Sequence, residues 1–379
     1  MRKKANWKKL LLVLLPLVIL GVMAIVDPNV KDIGQILTQI DSCWFWAAIG
    51  SMLLFYFFDT CMYMVAARYM RAPQSFGNAL LTTMLGFFYS ALTPFSFGGQ
   101  PMQVLQMRQR GITVGCATSM LVLKFLGWQL VITLFGVAGF VFLRNDILQS
   151  HVSVFVMFAL GFVFYALTVI VSLLAFLKPG GLFKIGDSVL HFLEKIRFLK
   201  NKERILRLHT IWARTIGDYR DGVQFLLKNP TGMFFVFLFA ALEALAYMSI
   251  TYFLYRGLGF HTRSMAHVVL LQSLLYISTS FVPLPGASFA SEGGFYLVFS
   301  QLFTPAARFP ALLIWRALTY YSALLLGLVA VIVDGMRNPV TAVNTEPSSG
   351  RHDAVAAAED TAAQPFARTK TVEDIQKKS

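Results

Sequence analysis

Long apolar segments constrain this chain more than any other feature of its sequence. A helix needs about 20 mainly apolar residues to cross the hydrocarbon core of a bilayer. Six runs meet this requirement, at residues 10–26, 43–66, 113–143, 152–177, 231–254 and 309–334. Because a backbone in lipid must satisfy its own hydrogen bonds, such runs form helices. The sequence therefore predicts an all-α polytopic membrane protein.

The composition agrees with this prediction. Of the 379 residues, 56% are hydrophobic and 14% are charged, whereas a soluble domain carries about 25% charged residues. These values exclude a soluble enzyme, a disordered chain and a disulfide-stapled secreted module. The cysteines and histidines show no metal-ligand spacing, so neither a metal nor another cofactor is expected. The basic start and run 10–26 resemble a signal peptide, but no small-residue cleavage site follows, which favours an uncleaved anchor.

Two further apolar stretches, residues 76–107 and 265–307, are interrupted by proline and glycine. The interruptions read TPFSFGGQP (93–101) and PLPGASFASEGG (283–294). The prolines that break the helices are Pro94, Pro101, Pro283 and Pro285. Each stretch is either a full span with an extended loop or a re-entrant hairpin, and broken backbone is tolerated at membrane depth only where protein or a cavity satisfies it.

The distribution of positive charge distinguishes these alternatives. If both stretches are hairpins and the N-terminus is cytoplasmic, 26 of the 33 Lys and Arg residues face the cytoplasm. If both were full spans, the loop 178–230, with 11 Lys and Arg, would face outward, against the positive-inside rule. The sequence therefore favours six full spans, two hairpins and cytoplasmic termini. The net charge of +14 is then explained by membrane orientation, and no nucleic-acid partner is expected.

The sequence also predicts how the chain is divided. Residues 1–335 form a membrane domain, and the loop 178–230 within it has the amphipathic spacing of a helix lying in the headgroup layer. Residues 336–379 are polar and predicted to be a disordered cytoplasmic tail.

The two hairpins would enter the membrane from opposite faces, and the halves that contain them resemble each other. Gln100 precedes Lys124 by 24 residues, and Glu292 precedes Arg316 by the same distance. Opposed broken helices in similar halves are typical of an inverted-repeat transporter, whose binding site lies near the midplane. The sequence therefore predicts an inverted repeat.

Five ionisable residues fall at membrane depth: Asp59, Lys124, Glu243, Glu292 and Arg316. Each costs about 2.5–3.5 kcal/mol at a helix centre, so such residues usually face partners or water. Asp59 and Glu243 either form structural ion pairs or line a polar path, and Lys124 either serves them as counter-ion or binds an anion. An arginine fork matches phosphate oxygens, so a phospholipid headgroup is the expected ligand. The predicted substrate-binding set is Lys124, Arg316, Glu292, Gly98, Gly99, Gln100, Gly286 and Tyr320, with no catalytic residue.

Three motifs carry a resemblance to a known family: TPFSFGGQPMQVLQMRQRGI (93–112), PLPGASFASEGGFYLVF (283–299) and WRALTYYSALLLG (315–327). They resemble the flippase-like membrane region of the lysylphosphatidylglycerol synthase family, also called the multiple peptide resistance factor, over about residues 8–335. The resemblance departs locally at Phe289, where glycine is expected, and at residues 322–323, where a proline is missing.

The resemblance implies a protein of the bacterial plasma membrane that moves lysyl- or aminoacyl-phosphatidylglycerol, or a related lipid, between leaflets. Such a protein contributes to resistance against cationic antimicrobial peptides. The alternative is the activity in the family's name, phosphatidylglycerol lysyltransferase, or another membrane transferase. The tail after Asp334 is expected to be too short for the synthase domain of full-length relatives, so the synthase partner would be a separate chain. The sequence leaves open whether the protein forms a homo-oligomer.

In the expected mechanism, the two hairpins meet near the midplane of the membrane. Gly98, Gly99 and Gly286 would let the backbone approach the headgroup. Arg316 and Lys124 would bind phosphate. Glu292 would bind the cationic aminoacyl group, or act as a gate by pairing with the arginine.

Overall fold

A computed structural model describes residues 16, 18–25, 33–149, 152–178, 180–181, 188 and 202–337. Within these residues the secondary structure is helical, without strands, which confirms the all-α prediction. The helices are α1 (Ile33–Thr38), α2 (Ser42–Tyr69), α3 (Phe76–Leu92), α4 (Gly99–Gln109), α5 (Val114–Phe142), α6 (Arg144–Gln149), α7 (Val152–Leu177), α8 (Lys202–Leu227), α9 (Pro230–Gly257), α10 (Met265–Thr279), α11 (Ala290–Val298), α12 (Pro305–Arg316) and α13 (Ser322–Arg337).

Five helices in the described part of the chain are long and apolar enough to span a membrane: α2, α5, α7, α9 and the continuous helix Pro305–Arg337. They correspond to five of the six predicted spans, so the polytopic prediction is confirmed. Of the sixth, residues 16 and 18–25 are helical. The rest of that span, residues 179, 182–187 and 189–201 of the loop 178–230, and residues 338–379 lie outside the described residues.

Local sequence sets where several of these helices begin. Asp41 caps α2 by accepting a hydrogen bond from the Cys43 amide at 2.8 Å. Thr113 caps α5 and Ser264 caps α10 in the same way. Side-chain oxygens at these positions satisfy amide groups that have no partner within the helix. α9 and α12 instead begin with proline, whose missing N–H costs nothing in the first turn.

The centre of the bundle is formed by α2 and α9, which pack along much of their length. α5 packs against α9 and α10, and α7 covers α5 and α10 from outside. Small residues bring these helices together: a Cβ atom on Gly161 of α7 would lie 2.4 Å from the Ser278 Cα atom of α10. Close backbone approach of this kind is how helices associate in lipid, where apolar side chains gain little from burial.

The first broken stretch folds as two antiparallel helices, α3 and α4. At one end Arg110 donates a hydrogen bond to the Asn78 carbonyl at 2.9 Å, and nearer the turn Gly86 contacts Gln103. α10 and α11 form the second unit in the same way. The return helices α4 and α11 have 11 and 9 residues, which is about 16 and 13 Å of helix. Because the hydrocarbon core is about 30 Å thick, neither return helix can cross it alone, which supports the re-entrant interpretation.

The two units also share an unusual turn. Each turn is a three-residue 3₁₀ helix that begins with proline, at Pro94–Ser96 and at Pro285–Ala287. The second residue of each has left-handed backbone angles, with φ of 53° at Phe95 and 61° at Gly286. The same local geometry in both halves supports the predicted internal repeat.

The structure gives the register of the repeat at the turns, where Pro94 and Pro285 occupy the same position. Backbone conformation decides this register, because only the proline at the first position of the 3₁₀ helix precedes the left-handed residue. The two turns contact each other, as expected for hairpins that meet.

The described part of the amphipathic loop, α8, docks on the bundle. Tyr219 and Val223 are buried, and the Tyr219 hydroxyl donates a hydrogen bond to the Ala175 carbonyl of α7 at 3.0 Å. A Cβ atom on Gly115 of α5 would lie 2.3 Å from the Thr215 carbonyl oxygen. The apolar stripe that suggested a helix in the headgroup layer is therefore used, in its C-terminal half, for contact with α5 and α7.

Thiol labelling tests the predicted orientation. Cys43 is exposed at the start of α2, on the predicted outer side, and Gln224 is exposed on α8, on the predicted cytoplasmic side. We expect a membrane-impermeant thiol reagent to label Cys43 in intact cells. A Gln224→Cys variant that carries Cys43→Ser should be labelled only in inverted vesicles. Labelling of this variant in intact cells would contradict the orientation.

Candidate functional site

The five ionisable residues predicted at membrane depth all lie inside the helix bundle. Asp59 and Glu243 are each 3% exposed, Glu292 is 0% exposed and Arg316 is 4% exposed. The Lys124 side chain is 13% exposed. Charges held this deep need partners, because the interior solvates them poorly. The structure provides those partners in two separate clusters.

The first group, which we call the acid cluster, consists of Asp59, Thr83, Lys124 and Glu243. The Lys124 Nζ atom lies 2.6 Å from the Asp59 Oδ2 atom. The Thr83 hydroxyl donates a hydrogen bond to the same oxygen at 2.8 Å. Glu243 lies one turn from Phe239, whose ring stacks on Phe58 beside Asp59 at 6.2 Å, so the charges of Asp59 and Lys124 act on its carboxyl group. These residues come from α2, α3, α5 and α9, so the cluster joins the first broken unit to the central helices.

The second group, the arginine cluster, consists of Gly286, Phe289, Glu292 and Arg316. The Arg316 Nη2 atom lies 2.6 Å from the Glu292 Oε1 atom, and its Nη1 atom donates a hydrogen bond to the Gly286 carbonyl at 3.1 Å. The Phe289 amide donates a hydrogen bond to the Glu292 Oε2 atom at 2.6 Å. Glu292 thus caps the start of α11, where the helix dipole also favours a carboxylate.

Arg316 connects the two broken units through Tyr320. The guanidinium lies 5.2 Å from the Trp315 ring and 5.5 Å from the Tyr320 ring. The Tyr320 hydroxyl donates a hydrogen bond to the Ala91 carbonyl in α3 at 3.1 Å. The ring occupies space that only glycine leaves free, because a Cβ atom on Gly286 would lie 2.3 Å from the Tyr320 Cε2 atom.

Two tyrosines lie between the clusters. The rings of Tyr247 and Tyr276 are 6.0 Å apart and nearly perpendicular. Arg316 acts electrostatically on Tyr247, and Glu243 acts on Tyr276. The Trp128 Nε1 atom donates a hydrogen bond to the Tyr276 hydroxyl at 3.1 Å. An aromatic and polar contact therefore links the acid cluster to the arginine cluster.

The structure separates the two cations that the sequence placed in one site. Lys124 pairs with Asp59, which is the counter-ion alternative that the sequence left open. Arg316 pairs with Glu292, which is the contact that the gate alternative requires. Asp59 and Glu243 belong to one cluster because their helices pack together and their charges interact.

The remaining predicted residues belong to the turns. The Gly98 amide donates a hydrogen bond to the Thr93 hydroxyl at 2.8 Å, and a Cβ atom on Gly99 would lie 2.5 Å from the Gly86 carbonyl oxygen. These two glycines therefore allow close packing within the first unit, and the Gly98 amide is already bonded. The residues exposed at the edges of the turns are Pro94, Gln100, Pro101 and Pro283, whereas Pro285 is buried.

The sequence reasoning missed Thr83, Tyr247, Tyr276 and the backbone role of Phe289. A signal for part of this set is present in the sequence. Four positions after each of the five buried charged residues, the sequence has an aromatic residue with a hydrogen-bonding group. These residues are Tyr63, Trp128, Tyr247, Tyr296 and Tyr320. Residues four apart lie on one face of a helix, so each buried charge shares its face with such a ring.

The chemistry available in both clusters is exchange of ionic partners. Arg316 presents a planar fork that matches phosphate, and each carboxylate can pair with an ammonium group. No group of three or more His, Cys, Asp or Glu that could hold a metal ion occurs in the described ranges. The arrangement is therefore suited to binding and releasing a charged headgroup.

Comparison with known proteins agrees with the picture of a membrane protein. Residues 9–327 match the family described as lysylphosphatidylglycerol synthase TM region, and the chain belongs to this family. The resemblance stated from the three motifs is thus confirmed. A UPF0104 membrane protein of Archaeoglobus fulgidus is 24% identical over 283 residues, which is 70% of this chain and 78% of the relative.

The structure explains why glycine is expected at position 289, where this chain has phenylalanine. Its backbone has φ of 72° and ψ of −51°, a conformation that L side chains rarely adopt, and its side chain is 73% exposed. We expect Phe289→Gly to raise the free energy of unfolding by about 1 kcal/mol, because glycine adopts this conformation without strain. Thermal unfolding in detergent micelles measures the change.

Phe97→Gly is the matched control for this prediction. Phe97 is 74% exposed in the first broken unit but has an ordinary φ of −70°. The control should give no gain in stability. A fall in the unfolding temperature of Phe289→Gly would contradict the assigned strain.

Proposed function

We propose that this protein moves a phospholipid whose headgroup carries a phosphate, either lysyl- or aminoacyl-phosphatidylglycerol or a related lipid with an anionic headgroup, between the leaflets of the membrane. The observation that carries the proposal is the position of Arg316. It is a buried cation held by Glu292 and the Gly286 carbonyl, beside the contact of two broken helical units. The printed description of the family, which refers to lysylphosphatidylglycerol, supports this class of lipid.

Exchange of partners at the arginine cluster explains how such a headgroup is bound. A lipid phosphate replaces the Glu292 carboxylate at the Arg316 fork, in the planar geometry that guanidinium groups prefer. Glu292 is then free to pair with the ammonium of an aminoacyl group. Arg316 and Glu292 both keep a partner during the exchange, so neither is left as an unpaired buried charge. Lys124 serves the acid cluster as counter-ion of Asp59 in this proposal.

The contact between the turns supports a path for the headgroup. Phe95 and Phe97 are 47% and 74% exposed, so the irregular turn of the first unit is accessible from outside the protein. Irregular backbone at membrane depth is tolerated where it is buried in protein or borders a water-filled space. The headgroup passes along these turns, while the acyl chains stay in the lipid between helices.

Opening of the arginine cluster has a structural basis in the helix that carries it. Arg316 and Glu292 are both buried, so the described state is closed around them. Residues Ala317–Tyr321, directly after the arginine, form a π-helical segment between α12 and α13. Single π-helical turns inside α-helices are frequent at functional sites. Movement at this segment exposes the arginine to a headgroup.

Reconstitution into liposomes tests the proposal. Labelled lysyl-phosphatidylglycerol is placed in one leaflet, and its exchange is compared with that in protein-free vesicles. We expect faster exchange with the protein, and equally fast exchange with Arg263→Ala, a half-exposed arginine outside both clusters. Exchange no faster than in empty vesicles would contradict the proposal. Formation of lysyl-phosphatidylglycerol from lysyl-tRNA by the purified chain would favour the transferase alternative.

We further propose that the protein acts in a bacterial plasma membrane with both termini in the cytoplasm. A synthase on a separate chain would supply the lipid on the inner side. Moving a cationic headgroup outward makes the outer surface less negative and weakens the attraction of cationic peptides. The five basic residues before position 10 support this orientation.

A further inference from the structure

The acid cluster contains one more carboxylate than it has cations. Asp59 takes both the Lys124 ammonium and the Thr83 hydroxyl on one oxygen. Glu243 is 3% exposed, and among the described residues its Oε2 atom has no hydrogen-bond partner. An ionised carboxylate buried without its own counter-charge is very costly, and such a group becomes neutral instead. The cluster therefore needs one further positive charge.

The groups that face Glu243 identify this charge as a proton. They are Asp59 from α2, Lys124 from α5 and Tyr276 from α10, of which only the lysine is cationic. Glu243 lies one helical turn from Phe239, whose ring stacks on Phe58, the neighbour of Asp59, at 6.2 Å. Two carboxylates at one buried site repel each other, so such a pair binds a proton. Lys124 already pairs with Asp59 at 2.6 Å, so Glu243 is the carboxyl group that takes the proton.

We propose that Glu243 is a proton-binding site and that its loading and release couple lipid movement to a proton gradient. This inference rests on the proposed function as a lipid translocase. In the closed state the Glu243 O–H is intact. When the cluster opens to water, the O–H bond breaks, the proton leaves to water and the carboxylate remains negative. That carboxylate then competes with Asp59 for Lys124.

The tyrosine pair gives this change a route to the lipid site. The rings of Tyr276 and Tyr247 are in contact. Glu243 acts electrostatically on Tyr276, and Arg316 acts electrostatically on Tyr247. A change of charge at Glu243 therefore alters the surroundings of the arginine that binds the phosphate. The acid cluster supplies the proton step, and the arginine cluster supplies the lipid step.

Infrared spectroscopy of the purified protein tests proton binding without any transport. A protonated carboxyl group shows a carbonyl stretching band that an ionised carboxylate lacks. We expect this band at neutral pH in the wild type and its loss in Glu243→Gln, which mimics the neutral acid and should fold. Glu292→Gln is the matched control, since Glu292 is paired with Arg316, and it should retain the band. A band unchanged in Glu243→Gln would overturn the inference.

A transport experiment tests the coupling. At zero membrane potential, a gradient of one pH unit can shift the leaflet distribution of the lipid up to about tenfold for one proton per lipid. We expect this shift in the wild type and in Arg263→Ala, and its loss in Glu243→Gln. If the leaflet distribution did not change with the pH gradient, or changed with a sodium gradient instead, the proton-coupling inference would be overturned. The translocase proposal would still stand. Absence of all exchange in the wild type would overturn the translocase proposal.

Discussion

Arg316→Ala is expected to abolish lipid exchange and to lower the free energy of unfolding by about 3–5 kcal/mol. The stability loss arises because Glu292, which is 0% exposed, would keep a buried negative charge without its partner 2.6 Å away. The loss of exchange arises because the phosphate would have no guanidinium to bind. Chemical unfolding in mixed micelles and the liposome exchange assay measure the two effects separately.

A double variant distinguishes stability from function at this site. Arg316→Met combined with Glu292→Gln removes both charges and keeps similar volumes, so most of the lost stability should return. The Phe289 amide keeps an acceptor in the glutamine oxygen. Exchange should stay absent, because the phosphate ligand is still missing. A stable double variant that exchanges lipid at the wild-type rate would contradict the role of Arg316.

Lys124→Met is expected to lower the free energy of unfolding by about 3–5 kcal/mol as well, for a different reason. Lys124 is the cation that neutralises Asp59 at 2.6 Å in a site where Asp59 is 3% exposed. Methionine fills similar space but leaves the aspartate without a cation, although the Thr83 hydroxyl still donates a hydrogen bond to it. The unfolding free energy in mixed micelles gives the size of the effect.

Removal of the unpaired charge should reverse this loss. Asp59→Asn added to Lys124→Met leaves no ionised group without a partner, since Glu243 carries a proton in our proposal. The double variant should regain most of the wild-type stability. If Lys124→Met alone were as stable as the wild type, the buried ion pair would have no structural role.

The parts of the fold that follow from short stretches of sequence were predicted well. Runs of apolar residues located α2, α5, α7, α9 and the helix Pro305–Arg337, because each segment must be apolar along its own length to lie in lipid. Proline and glycine located both turns. The sequence did not show that α8 docks on α5, because an apolar stripe fits a protein surface as well as a membrane surface.

The sequence predicted which residues belong to the candidate site, but it did not predict how they pair with one another. All five buried charges were found from their position in apolar runs, since any charge there is unusual. Their pairing was left as alternatives. Asp59 and Lys124 are 65 residues apart, and the ion pair forms because α2 and α5 turn these faces toward each other.

The sequence by itself determined the class of protein, the spans, the broken units and the set of buried charges. These properties depend on how each segment interacts with lipid and water, and that interaction is local to the segment. Only the tertiary structure decided that the charges form two clusters, with Lys124 on Asp59 and Arg316 on Glu292. Ionic partners depend on the order and rotation of packed helices, which bring together side chains that are distant in the sequence.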